Sequence, residues 1–178
     1  DNSGATALTK AGQGTLILSG NNTYSGVTYV NGSTVAGGAN ANPNASFAAG
    51  TLQIGAGGTA GGISNSPSVL NNGTVAFNRS DVSGYAGIIS GPGSVKQLGA
   101  GTTILTGDNT YSGITTISGG TLQIGNGGAT GGLANSAGVA NAGTLAFNRS
   151  GSVSINSVIS GIGALNVQAG TVVLNTNE

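Results

Sequence analysis

"GTLQIGAGGTAGGISNSPSVLNNGTVAFNRS" (50–80) returns as "GTLQIGNGGATGGLANSAGVANAGTLAFNRS" (120–150), at an offset of 70. Within each copy, short β-type runs follow a glycine: 51–54 and 74–77 in the first, 121–124 and 144–147 in the second. Apolar and polar residues roughly alternate along them, the period-two mark of a strand with one buried face. The alternation points Leu52, Ile54, Val75, Phe77, Leu122, Ile124, Leu145 and Phe147 into a core.

The repetition extends outward. "LTKAGQGTLILSGNNTYSGVTYVNG" (8–32) matches "VKQLGAGTTILTGDNTYSGITTISG" (95–119) at an offset of 87, and "SGIGALNVQAGTVVL" (160–174) starts a third copy. The mismatch between the two offsets is accounted for by "STVAGGANANPNASFAA" (33–49), which the first unit alone contains. The chain therefore divides into unit one (6–92, with the extra 33–49), unit two (93–162) and a truncated third unit (163–178). Thr34-Val35 and Ser46-Phe47 have strand character, while the stretch around Pro43 reads equally as a protruding loop. A whole inserted coil would leave the stack in register, so the expectation leans to a short extra coil with a loose corner at 36–45.

Equivalent turns recur about every 22 residues, too long for a hairpin and too short for a strand–helix–strand unit. No segment carries the i, i+3, i+4, i+7 stripe of an amphipathic helix. The spacing predicts an all-β chain: a parallel β-helix of about seven to eight coils with three short strands per coil. Parallel crossovers make it right-handed. The whole chain, 1–178, forms one such segment. Its 36 glycines suit sharp corners, and asparagine adds tolerance of positive φ and a side-chain amide for local or stacked bonding.

Composition narrows the function. Four basic residues balance four acidic ones, which leaves no basic patch for a nucleic acid. There is no Cys, hence no disulfide frame or thiolate metal site, and no apolar run reaches the ~18–20 residues that span a bilayer. Carbohydrate chemistry on a β-helix needs clustered carboxylates, often with a histidine. Here there is no His, and the acids lie at Asp1, Asp81, Asp108 and Glu178. The strings "GAGGTAGG" and "GNGGATGG" lack the Asp of a calcium-binding repeat and the following Lys-[Ser/Thr] of a phosphate loop. The expectation is no enzyme, no metal, no cofactor and no small-molecule substrate.

The quoted 8–32 and 95–119 stretches, with Gly-x-Gly-Thr-Leu, Asn-Thr-Tyr-Ser-Gly and Gly-Gly-Thr-Leu-Gln in series, closely resemble the autotransporter-associated β-strand repeat, also called the passenger-associated transport repeat. The resemblance implies a surface protein of a Gram-negative bacterium, secreted or displayed at the cell surface. It further implies a β-helical passenger whose partner is a C-terminal outer-membrane β-barrel translocator. Neither a barrel nor a signal sequence is evident, so the chain reads as a segment of a longer passenger. The implied role is a scaffold that supports export and folding across the outer membrane and displays the passenger. The alternative is an adhesin module that binds host cells or associates with neighbouring bacteria.

Three features invite site readings. Tyr24 and Tyr111, in "GNNTYSG" and "GDNTYSG", are either sugar-stacking platforms or parts of a corner. In the corner reading, which equal spacing favours, Asn22 and Asn109 turn the backbone, Gly26 and Gly113 release it, and the tyrosines cover the coil edge. Arg79 and Arg149 in "FNRS" either grip a ligand carboxylate or satisfy turn carbonyls, the second being expected. Ile17, Ile104 and Val173 would face outward if Leu18, Leu105 and Leu174 face inward, forming an apolar association stripe.

Overall fold

The computed structural model describes residues 6–31, 50–133 and 136–176. Among these, every regular element is a strand and every strand pairing is parallel. Following the chain coil by coil, β1 (Leu8–Lys10) and β2 (Thr15–Leu18) open the stack, followed by β3 (Thr28–Val30) and β4 (Thr51–Ile54). Then come β5 (Ser68–Asn71), β6 (Thr74–Phe77) and β7 (Val82–Tyr85), and next β8 (Ile88–Ser90), β9 (Ser94–Gln97) and β10 (Thr102–Leu105). The fifth coil has β11 (Asp108–Asn109), which stacks on β8, with β12 (Thr115–Ile117) and β13 (Thr121–Ile124). The last two have β14 (Gly132–Leu133) and β15 (Val139–Asn141) with β16 (Thr144–Ile155), and β17 (Ile159–Ser160) with β18 (Ala164–Leu174).

These strands stack into three faces. Face one is β1-β3-β5-β8, face two β2-β4-β6-β9-β12-β15-β17, and face three β7-β10-β13-β16-β18. Face two takes one strand from each of seven coils, which confirms the solenoid. The expected three strands per coil need a correction on two sides. Alongside the first two coils face three is only one isolated bridge, Asn21 to Gly62, and beyond β8 face one is the two-residue pair β11–β14. Loops that bulge there, such as 55–61, break the pairing into short pieces.

Register explains the core. On face two the inward columns run Leu16, Leu52, Val75, Val95, Thr115, Val139 and Ile54, Phe77, Gln97, Ile117. Face three contributes Thr103, Leu122, Leu145 and Leu105, Ile124, Phe147. All eight residues assigned to the core from alternation are buried, none more than 3% exposed. Each coil supplies only a few of these side chains, so the core exists as columns across coils rather than as a cluster within one.

The two repeat units do not lie directly above one another. In unit one, β1, β3 and β5 stand on face one and β2, β4 and β6 on face two. Their sequence equivalents in unit two, β9, β12 and β15, stand on face two, and β10, β13 and β16 on face three. The repeat length is thus three coils plus one face, and each repeat turns the pattern by one side of the prism.

The reading of 33–49 as an extra coil falls outside the described residues. Around it, β3 pairs directly with β1 and β5, and β4 directly with β2 and β6. The flanking sequence Val30-Asn31-Gly32 … Gly50-Thr51 reproduces the unit-two corner Ile117-Ser118-Gly119-Gly120-Thr121 once 33–49 is removed. Deleting 33–49 should therefore leave the stack intact and raise its melting temperature, since closing a shorter loop costs less entropy. Circular dichroism melts of the deletion and parent proteins check this. Phe77→Ala or Phe147→Ala should lose about 3–5 kcal/mol in denaturant titrations, because close-packed columns cannot collapse into the cavity.

Candidate functional site

Tyr111 is 1% exposed and Tyr24 half-buried, so the tyrosines fill the inside of a corner instead of covering its edge or offering a ring to sugar. In unit two, Tyr111 Oη shares a 2.7 Å hydrogen bond with Thr115 Oγ1, which shares one of 3.0 Å with Ser136 Oγ. Ser136 Oγ also lies within hydrogen-bond reach of the Gly113 and Gly138 carbonyls, one of which takes its single proton, and Ser157 donates to the Ser136 carbonyl one coil on. Unit one repeats the chain with Tyr24, Thr28 and Ser66 at 2.6 and 2.9 Å. Ser66 and Ser136 were missed in the sequence reading, although both occupy the same slot of the repeat. A buried hydroxyl chain of this kind links coils that have little else to bond across a corner.

The asparagines also act differently from expectation. Among the described residues, positive φ is confined to glycines, so Asn22 and Asn109 do not turn the backbone through left-handed geometry. Their amides brace it: Asn22 Nδ2 donates to Gly20 O at 2.8 Å and Gly62 O at 3.2 Å. Asn109 Nδ2 donates to Gly107 O at 2.9 Å and Gly132 O at 3.2 Å. Gly26 and Gly113 are needed for clearance. A Cβ there would sit 2.6 Å from the Thr6 carbonyl oxygen or 2.4 Å from that of Gly93, in the preceding coil. Lys10 and its equivalent Gln97 likewise cap carbonyls: Nζ donates to Ala11 and Gly12, and Nε2 to Gly99 and Gly101.

Both arginines clamp a Gly-rich loop. Arg79 donates to the Thr59 and Gly61 carbonyls, and Arg149 to those of Ala129 and Gly131. Arg79 also holds Asp81 through Nε at 2.9 Å and Nη2 at 2.7 Å, and this hydrogen bonding keeps the Asp81 carboxyl below the usual carboxylate range. Arg149 has Asp108 Oδ1 at 4.0 Å, an aspartate from an adjacent coil that sequence neighbours did not reveal. Asp108 and its counterpart Asn21 play one further part, accepting from Gly131 N and Gly61 N.

The apolar association stripe does not form. Ile17 is 49% exposed on β2 of face two, whereas Ile104 is only half-buried on β10 of face three. Val173, 41% exposed on β18, pairs with Ser154 and so stands outside the Ile104 column. The one-face advance between repeats separates residues that equal sequence slots had joined. Leu105 is fully buried, but Leu18 is half-buried and Leu174 half-exposed, each at an end of the described stack. A surface depression of about 390 Å³ lies on face two over Thr116, Ala140 and Ser160, and Ile162 also lines it. Among the described residues no group of three or more His, Cys, Asp or Glu is placed to hold a metal ion.

The features common to both units are therefore corners, caps and core columns, and they fall where a known repeat matches. The passenger-associated transport repeat matches residues 8–39 and 96–124. The chain carries passenger-associated transport repeats. The first match begins at β1 and takes in the Tyr24 corner; the second runs from β9 through the Tyr111 corner to the end of β13. The chain is also similar to the adhesin BmaC autotransporter of Brucella suis biovar 1 (strain 1330), 40% identical over 90 residues. That stretch is 51% of this chain and 2% of the relative, so the chain spans a small fraction of the length of the curated protein it matches. No solved structure matches the chain significantly.

Burial raises the phenol pKa values of Tyr111, Tyr85 and Tyr24 above the ordinary value. The folded transport repeats then hold phenolic protons that the unfolded chain releases above about pH 10. Stability is complete below that pH and falls as pH rises, by about 1.4 kcal/mol per pH unit for each fully buried phenol. Alkaline unfolding followed by circular dichroism should show this loss, and Tyr111→Phe should flatten it while lowering stability near neutrality.

Proposed function

We propose that this segment is the mechanical part of an autotransporter passenger at the surface of a Gram-negative bacterium. It is a β-helical scaffold that supports export and folding across the outer membrane and displays the rest of the passenger. Its partner in the full-length protein is a C-terminal outer-membrane β-barrel translocator. The observation that carries this reading is the identity of the residues within the transport-repeat matches. They are the ones that build corners and core columns: Tyr24, Thr28, Asn22, Tyr111, Thr115, Leu122 and Ile124. What the repeat preserves between units is the capacity to add one coil to another.

The physical mechanism follows from parallel stacking. A coil that has emerged and folded offers unpaired N–H and C=O groups and half a core to the next one, so each addition is favoured by the last. Folding outside the membrane opposes return of the chain and rectifies its passage. The segment turns over no small-molecule substrate, and its near-zero net charge gives it no hold on nucleic acid. The second reading, an adhesive or self-associating module, is supported by the word adhesin in the relative's name.

Proline at Leu122 or Leu145, both fully buried in central strands of face three, removes a ladder hydrogen bond and should reduce the surface-exposed passenger in protease-accessibility assays on intact cells. Deleting unit two as 94–163 should preserve export, because it removes three coils plus one face and returns Ala164 to the slot of Ser94. Normal display of the proline variants together with lost cell binding would replace the scaffold reading with the adhesive one.

A further inference from the structure

Equivalent slots of the two units carry outward side chains of different size. On face one, Tyr29 and Leu70 are register neighbours in adjacent coils and point outward, Leu70 being 39% exposed. Beside them Asn31 and Asn72 join through a 3.1 Å amide hydrogen bond. The same slots in unit two hold Thr116 and Ala140, with Ser118 and Ala142 beside them. These shorter side chains line the depression of about 390 Å³ on face two. The one-face advance puts ridge and depression on different sides of the rod. One molecule thus carries a projection and a recess that it cannot bring together by itself.

We propose that the Tyr29–Leu70 ridge of one copy docks in the Thr116–Ala140 depression of a second copy, with the two rods antiparallel. Charge sets the orientation. Asp108, its side chain 63% exposed, lies two coils beyond Leu70 along face one, past β8. Lys96, exposed and without an ion pair among the described residues, lies two coils before Ala140 on face two. With Leu70 set over Ala140, antiparallel rods bring Asp108 beside Lys96, whereas parallel rods carry the two apart. The same alignment brings Ile88, 44% exposed, onto Ile114, 50% exposed. Ridge and depression overlap over about four coils, or ~20 Å at ~4.8 Å per strand. That is short of what a stable soluble dimer buries, so a single contact is weak and salt-sensitive, and it gains strength where many rods are held side by side. The contact rests on the self-associating reading, to which it gives a defined partner, and is independent of export.

Sedimentation equilibrium of the purified chain should show a mass that rises with concentration, and added salt or Lys96→Glu should weaken the association. Filling the depression with the residues of unit one, Thr116→Tyr with Ala140→Leu, should weaken it by about tenfold or more. Shaving the ridge to the residues of unit two, Tyr29→Thr with Leu70→Ala, should do the same. Each substitution borrows a side chain that the other unit already carries at that slot, and circular dichroism melts verify folding. The chain has no Cys, so Leu70→Cys and Ala140→Cys proteins can be joined by a bis-maleimide matched to the ~10 Å spacing of packed sheets. Cross-linking should require both proteins in the mixture. Equal cross-linking of either protein alone, or association that survives filling and shaving, overturns this contact and leaves self-association to another surface. A chain that stays monomeric at about 1 mM overturns the contact and the self-associating reading together.

Discussion

Parallel pairing from one coil to the next is the constraint on which everything else in this chain depends. Each strand is three or four residues over most of the stack, too short to hold a register by itself, and each coil buries too few side chains to form a core alone. Stability comes only when Leu52 lies on Val75 and Ile124 on Phe147, and so on along the rod. That requirement fixes the corners. Where the chain must pass close to the coil before it, as at Gly113, even one Cβ is too much. Corner carbonyls also take side-chain donors: an amide at Asn22 and Asn109, an ammonium at Lys10, a guanidinium at Arg79 and Arg149. Polar residues are abundant in the interior because corners, unlike strands, cannot satisfy their own backbone.

The fold class and the core were legible because they depend on local alternation and on repetition, both present in one dimension. Phe77, Phe147 and the leucines before them read correctly for that reason. The corner chemistry was legible only in outline. Asn-Thr-Tyr-Ser-Gly announces a turn, but the tyrosine's inward direction depends on Thr115, four residues on, and through it on Ser136, which belongs to the following coil. The Asp108–Arg149 approach was invisible for the same reason, since the two come from well-separated parts of the sequence and meet only through stacking. The association stripe failed because equal slots in successive repeats were assumed to share a face. Nothing in local alternation reveals that a repeat overshoots three coils by one side.

The two units also show which substitutions the architecture absorbs. Tyr85 with Gly87 in unit one is replaced by Ile155 with Ser157 in unit two, and the exchange is coupled. A Cβ at Gly87 would lie 2.3 Å from the Tyr85 hydroxyl oxygen, whereas beside Ile155 there is room for Ser157, which reaches back to the Ser136 carbonyl. Lys10 and Gln97 trade a charge for an amide while both cap the corner that follows. The repeat tolerates changes of residue so long as volume and hydrogen bonding balance within each corner.

The one-face advance has a consequence for how a long passenger presents itself. If units were whole numbers of coils, the same outward residues would recur on one side, and any uniform apolar or β-rich face would run the length of the rod. Such continuous flat faces invite lateral pairing and aggregation. Turning the pattern by one face per unit breaks this up: the column of face two that holds Ile17, Gln53 and Ala76 in unit one continues as Lys96, Thr116, Ala140 and Ser160 in unit two. The same turn lets insertions such as 33–49 enter at equivalent corners of different units without projecting along one line. Stacking demands that the inward columns be alike from coil to coil. The fractional repeat length frees the outward columns from that demand, which is how one repeat can build a rod of any length without giving it a uniform adhesive side.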